Sequence, residues 1–409
     1  MDEINIEKLH NDTLAKRLKR VCSLFNYNTE FYIHSRMIDD DFRRPIINQY
    51  FLYLSAIPSH LIMKDSLLLV SIIDNICNLT IYYKNDPISG RNYKNIVSPL
   101  IKLEDISKFD TSIPAINDQQ KKNICDIMII KDQWEILQIQ DSINITLQAF
   151  DNVKDVIKKN NPKLRENNIE SIFIKTFIDN HFDVAYSPII ASSYNASSIH
   201  YIDNNSSIIN NNFLLLDCGA KNIFGYCADI TRTLSIGKVS NHHTIIYNIV
   251  KKAHDDTLEY LNQNLENGVS LADLNECCVL SFINSFKNLE KILGYDNWNN
   301  IIDACNTNID TSKQLIIYFY THSIGHHVGL LVHDLEDLNN YNRKLEDGNI
   351  ITIEPGLYFN KEYVGHLNIP EIYYEIGGVR IENMIFIGHE FNDVYSDRLK
   401  GFIMSNYEY

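Results

Sequence analysis

The stretch FLLLDCGAKNIFGYCADITRT, residues 213–233, decides the architecture: an apolar run ends on Asp217, a turn containing Gly225 follows, and a second run opens with Asp229. Strand, turn and strand in that order predict an antiparallel hairpin, which can bring two carboxylates side by side. Taken alone, an Asp at the end of an apolar run or before Thr is more often a turn or cap residue. The hairpin gains chemical meaning only from what surrounds it.

Working outward, β-like runs lie at 199–202, 213–217, 230–236, 316–320, 350–354 and 379–387. Helices are expected over 134–159, 169–180, 245–265 and 271–289, the last capped by Ser270 with Asp273 three residues on. This half reads as α+β with antiparallel strands. Before it, a basic amphipathic segment at 14–24 and short apolar strands at 50–54, 67–73 and 79–83 read as an α/β unit with its own sheet. The polar stretch 118–122 precedes the helix at 134, so the boundary is placed at 130, giving domains 1–130 and 131–409. A chain of 409 residues fits two domains better than one.

Composition narrows the function. Hydrophobic residues make up 45% and charged residues 22%, as in ordinary globular proteins. A net charge of -15 opposes a sequence-independent grip on phosphate backbones, so no nucleic acid partner is expected. The acidic start MDEINIEKLHND has no basic, apolar secretory pattern, and the apolar run near 67–73 is too short to span a bilayer, which predicts a cytosolic protein with no membrane partner. Eight cysteines without a C-x-x-C pair read as reduced thiols.

Three further motifs join the hairpin. HSIGHHVGLLVHD, residues 322–334, holds His322, His326, His327 and His333, and neutral imidazoles ligate divalent metals. Its spacing is not the H-E-x-x-H of zinc proteases. ITIEPGLYF, residues 351–359, places Glu354 at a strand end, and GGVRIENMIFIG, residues 377–388, places Glu382 inside an apolar strand. A carboxylate among such neighbours is costly unless paired or bound to a cation. Four carboxylates and one imidazole carry four negative charges, which balance two divalent cations. Oxygen-rich ligation favours hard ions such as Mn²⁺, with Co²⁺ or Zn²⁺ able to substitute. Two ions about 3.5–4 Å apart lower the pKa of a shared water and polarise a carbonyl, a recipe for amide hydrolysis.

In order, these motifs resemble the pita-bread metallopeptidases, and within them the Xaa-Pro aminopeptidases (aminopeptidase P) and the related prolidases. The resemblance covers about 194–383 and implies a smaller creatinase-like N-terminal domain followed by a catalytic domain with a curved antiparallel sheet and flanking helices. It assigns Asp217, Asp229, His326, Glu354 and Glu382 as metal ligands, Asp229 and Glu382 bridging both ions. It implies Glu354 as proton acceptor from the attacking water, His200 beside the substrate, His333 stabilising the tetrahedral intermediate, and His322 opening the same motif. Tyr358 and Arg380 are implied to hydrogen-bond around Asp217. The implied activity removes the first residue from peptides with proline second, in a homo-oligomer, dimer or tetramer. A prolidase cutting only dipeptides is the nearest alternative, and a non-catalytic binding module or a metal-free hydrolase on the same fold a more distant one.

Two departures stand out. RRPIINQYFLYLSAI, residues 43–57, resembles the N-domain segment leading into a glycine turn, yet carries Tyr50 where the family has an acid and Ala56 where it has Gly. Eleven residues separate Asp217 from Asp229, one more than the family's usual spacing. Because both flanks match, the extra residue is expected at the hairpin tip, 222–224, as a longer turn or bulge that leaves the ligands in register.

Overall fold

A computed structural model describes residues 3–25, 28–35, 48–57, 62, 66–84, 98–159, 161–288, 299–334, 340–367, 369–391 and 394–406. Residues 43–47 of the N-domain motif and Leu289 of the expected helix lie outside these. The chain opens with helix α1 (Glu3–Leu24) and a four-stranded sheet in spatial order β1 (Thr29–His34), β2 (Leu67–Ile73), β3 (Ile76–Tyr83) and β4 (Ile101–Asp105). β3 and β4 are parallel and the other pairs antiparallel. The β2–β3 turn is Asp74–Asn75 with φ of 50° and 62°, the left-handed pair that matches strand twist and that Asp and Asn tolerate.

The run 50–54 is not a strand. It forms α2 (Gln49–Ser55), started by the Asn48 side chain accepting the Tyr50 N–H and stopped at Ala56, whose φ of 50° sits where the family carries glycine. Phe51 to Ser55 are all buried, and a short continuous apolar run has no period to tell strand from helix. The polar stretch 118–122 starts α3 (Asp118–Met128), capped reciprocally by Asn117 and Gln120. A second capping box, Asp132 with Glu135, starts α4 (Gln133–Ile157).

The antiparallel strands expected of the second half are hydrogen-bonded in four groups among the described residues. β5 (Asp183–Val184) pairs β8 (Ala220–Lys221), while β6 (Ile189–Ser192), β7 (Asn212–Cys218) and β9 (Ile230–Ile236) form a second sheet. β10 (Ile350–Ile353), β13 (Asn383–Phe391) and β14 (Val394–Ile403) form a third, and β11 (Gly356–Tyr358) pairs β12 (Gly378–Arg380). The expected strand 379–387 is therefore split at Ile381–Glu382. There the chain leaves β11 for β10, the Ile381 N–H donating to the Pro355 carbonyl and the Glu382 N–H to that of Thr231. Residues 199–202 are turn and coil. Residues 316–320 are the end of a helix (Ile309–Ile316) and the turn after it, so neither run is a strand.

Around the sheets pack α5 (Glu166–Asp179), α6 (Asn241–Asn264) and α7 (Leu271–Lys287), the last with the expected Ser270–Asp273 capping box. One buried core runs from Leu14 and Phe51 through Trp134 to Leu214 and Ile350, crossing residue 130 without interruption. A second joins α6 and α7 to Ile351 and Ile385. Asp217, Asp229, Glu354 and Glu382 lie at or next to the ends of β7, β9, β10 and β13.

Candidate metal centre

The hairpin holds its register from Asn212 opposite Ile236, through Asp217 opposite Thr231, to Lys221 opposite Cys227. With no bulge on the way, Asp217, Gly219, Asp229 and Thr231 project to one face. The extra residue is absorbed in the tip, where Asn222 Oδ1 accepts the Phe224 and Tyr226 N–H groups at 3.0 Å each. The two acids are thus diagonal neighbours, and the Tyr186 hydroxyl lies 2.5 Å from an oxygen of each.

Glu382 arrives at the split between β12 and β13. Its Oε2 accepts from the Thr231 hydroxyl at 2.8 Å, and its carbonyl is bonded by the buried Arg232 guanidinium, which also donates to Asn383 Oδ1 at 2.7 Å. Glu354 follows β10, its N–H donating to the Ile324 carbonyl at 2.8 Å. His326 Nε2 lies 3.4 Å from oxygens of both Asp229 and Glu354. Its Nδ1 is 3.1 Å from the His327 carbonyl, to which it donates, so Nε2 is the nitrogen that faces the acids. Ligand atoms of Asp229, His326 and Glu382 all lie within 4.8 Å of one another.

Behind Asp217 runs a donor chain. Arg380 Nη2 pairs with Asp217 Oδ2, its Nε donates to Thr231 at 3.1 Å, and its Nη1 donates to the Tyr358 hydroxyl at 2.8 Å. Tyr358 in turn donates to His322 Nε2 at 2.8 Å, because His322 Nδ1 gives its proton to the Ser323 carbonyl at 2.8 Å. Burial, then the Arg380 charge, pushes His322 down to about 3, so it is neutral at pH 7.

The electrostatics ask for cations. Burial raises Asp217 against the opposing pull of Arg380, raises Glu354 to about 7 against His326, and raises Glu382 well above its ordinary range. Burial disfavours a charged His326, but Asp229 and Glu354 outweigh it and push it up to about 9. Carboxylates raised together by burial are those a divalent cation would stabilise, and the donor set of four carboxylates and one inward imidazole fits two such ions.

A cavity of about 720 Å³ is lined by all five expected ligands together with His200, His322, His333 and Arg380. Tyr358 stands outside it, lining a smaller neighbouring cavity of about 510 Å³ and reaching the site through its hydroxyl. His333 packs its ring on His326 at 4.1 Å between centroids. His327, the fourth histidine of the motif, is buried. Sequence reasoning missed Tyr186, Thr231 and Arg232. The latter two lie within the quoted D-I-T-R-T and could have been flagged as polar positions in a buried strand, whereas Tyr186 carries no such mark.

The profile of metallopeptidase family M24 matches residues 138–389. A Talaromyces marneffei protein named "Probable Xaa-Pro aminopeptidase pepP" is 29% identical over 321 residues, 69% of this chain and 65% of that protein. One of Emericella nidulans, "Probable Xaa-Pro aminopeptidase AN0832", is 28% identical over 331 residues, 73% of this chain and 66% of that protein. The chain thus spans just under two thirds of the length of these curated relatives. Proline aminopeptidase P II from Yersinia pestis shares the fold, with a TM-score of 0.74 at 17% identity, over 97% of this chain and 96% of that one. Icp55 from Saccharomyces cerevisiae does so with a TM-score of 0.69 at 21% identity, over 97% and 94%. The matched span contains every residue of the metal centre, and the chain belongs to metallopeptidase family M24.

Proposed function

We propose that this protein is an Xaa-Pro aminopeptidase, a dinuclear-metal hydrolase that releases the N-terminal residue from peptides with proline in second position. The observation that carries the reading is the convergence of Asp217, Asp229, His326, Glu354 and Glu382 on one buried cavity wall, within the span matched by the family. The names borne by the curated relatives support the proline specificity. Manganese is the proposed metal, since four of five ligands are hard oxygens. Eight unpaired cysteines fit a reducing cytosol, and no described helix is long and apolar enough to cross a membrane. Residues 1–130 are proposed as the creatinase-like N-terminal domain and 131–409 as the catalytic domain.

When bound, the two ions supply Lewis acidity to the scissile carbonyl and acidify a water. Glu354, on the cavity wall beside His326, would accept a proton from the attacking water. His333, lining the cavity, would donate to the oxygen that gains charge, and His200, on the same wall, would lie beside the substrate. The Arg380–Tyr358–His322 chain fixes the Asp217 carboxylate and keeps His322 neutral.

A length series tests the reading. Protein loaded with Mn²⁺ should cut Ala-Pro-Ala and leave Ala-Ala-Ala intact. Cleavage of Ala-Pro alone would make it a prolidase, and no cleavage of any Xaa-Pro peptide with Mn²⁺, Co²⁺ or Zn²⁺ would sink the peptidase claim. Metal analysis of the isolated protein separates both from a binding module, which would hold none.

A further inference from the structure

Lys131 immediately precedes the N-cap of α4, and its ammonium pairs with the carboxylate of Asp334 at 2.8 Å, both side chains only 1% exposed. The same ammonium donates to the Met128 carbonyl at 2.7 Å, and the Lys131 N–H donates to the Gly348 carbonyl at 2.7 Å. A pair this deep is expensive to desolvate, and apolar groups of similar volume often serve stability as well or better. Stability alone therefore does not account for it.

Its position does. Asp334 directly follows His333, and its N–H donates at 2.9 Å to the His327 carbonyl, the same oxygen that holds His326 Nδ1. Residues 326–334 thereby close on themselves with the His333 ring against His326. Glycine is needed where the loop crosses the pair: a β-carbon at Gly329 would lie 2.3 Å from Asp334 Oδ2 and 3.0 Å from Lys131 Cε. We propose that Lys131 is a positioning residue, holding Asp334 so that His333 faces the reacting carbonyl from a point 203 residues away in sequence. This rests on the role given to His333 above.

The test compares Lys131→Met, His333→Ala and the double variant, with Lys131→Met/Asp334→Leu as an apolar replacement of the pair. Lys131→Met should lower kcat about tenfold at unchanged metal content and KM. In the His333→Ala background it should cause no further loss. The apolar pair should melt like wild type yet keep the tenfold deficit, and its crystal structure should show His333 moved off His326. Multiplying losses, kcat restored by the apolar pair, or an unmoved His333 would each overturn the inference. A wild type inactive on every Xaa-Pro peptide would sink the peptidase reading instead, leaving the position of His333 to decide this one.

Discussion

At the residue scale the site is a set of acids that can share one wall only by taking up protons or cations. His326 near 9 and Glu354 near 7 both exceed their ordinary values, so near neutral pH the metal-free site holds protons that an incoming ion must displace. The sign follows: apparent Mn²⁺ affinity rises as pH rises from 6 to 9, and binding near pH 7 releases protons. Calorimetry in buffers of different ionisation enthalpy measures this, and a pH-independent affinity would contradict it. Asp229→Asn or Glu382→Gln, each removing a proposed ligand, should lower activity at least about 100-fold, with metal content falling in parallel. Tyr186→Phe should weaken metal binding about tenfold while the fold melts normally, since it loses an orienting hydroxyl and no packing volume. The five expected ligands, which all line one cavity, were picked out by the order of their motifs, their charge balance and the resemblance to one family. Tyr186 was not, because a tyrosine beside Ser187 breaks no pattern, and its contact arises only once β5 pairs with β8.

At the element scale, what was legible followed the strength of local signals. Sustained helical spacing located α4, the Ser270–Asp273 capping signal located α7, and the hairpin was correct in both strands and in its elongated tip. Runs 50–54 and 316–320 misled because apolar stretches of five residues fit helix and strand equally, and tertiary contacts decide. In α2 that contact is Tyr53, whose ring lies 4.0 Å beneath the buried Arg17 guanidinium. The hairpin makes a sharp prediction of its own. Deleting Ile223 from the tip should leave peptidase activity within about threefold, because register is set by pairing that ends at Lys221 and Cys227. Gly219→Ala, by contrast, would put a β-carbon 1.8 Å from the Ala228 carbonyl oxygen and should cost about 3 kcal/mol and most of the activity. Denaturant titration and metal analysis of the two variants distinguish these outcomes.

At the scale of the whole molecule, the two halves read from sequence as separate units share buried side chains. Trp134 marks the junction: it stacks on His10 of α1 at 5.0 Å, meets Phe224 of the hairpin tip edge-on at 5.0 Å, and sits 6.0 Å from the Arg17 guanidinium. Arg17 itself pairs with Asp132 at 2.7 Å and lies 3.5 Å from Glu135, tying α1 to the start of α4 through groups with little access to water. Separating the halves would break these pairings between α1 and the start of α4. It would also expose the apolar surface between them. The halves should therefore unfold together, unlike domains joined by a polar linker. The chain has two tryptophans, so Trp298→Phe leaves Trp134 as sole reporter at the junction. Its fluorescence transition should coincide with the far-UV circular dichroism transition in one step, and saturating Mn²⁺ at about 100 times Kd should shift both equally, by about 2.7 kcal/mol. If Mn²⁺ moved the dichroism transition while the Trp134 transition stayed put, the metal centre and the N-terminal half would be folding independently. The continuous core would then not couple them.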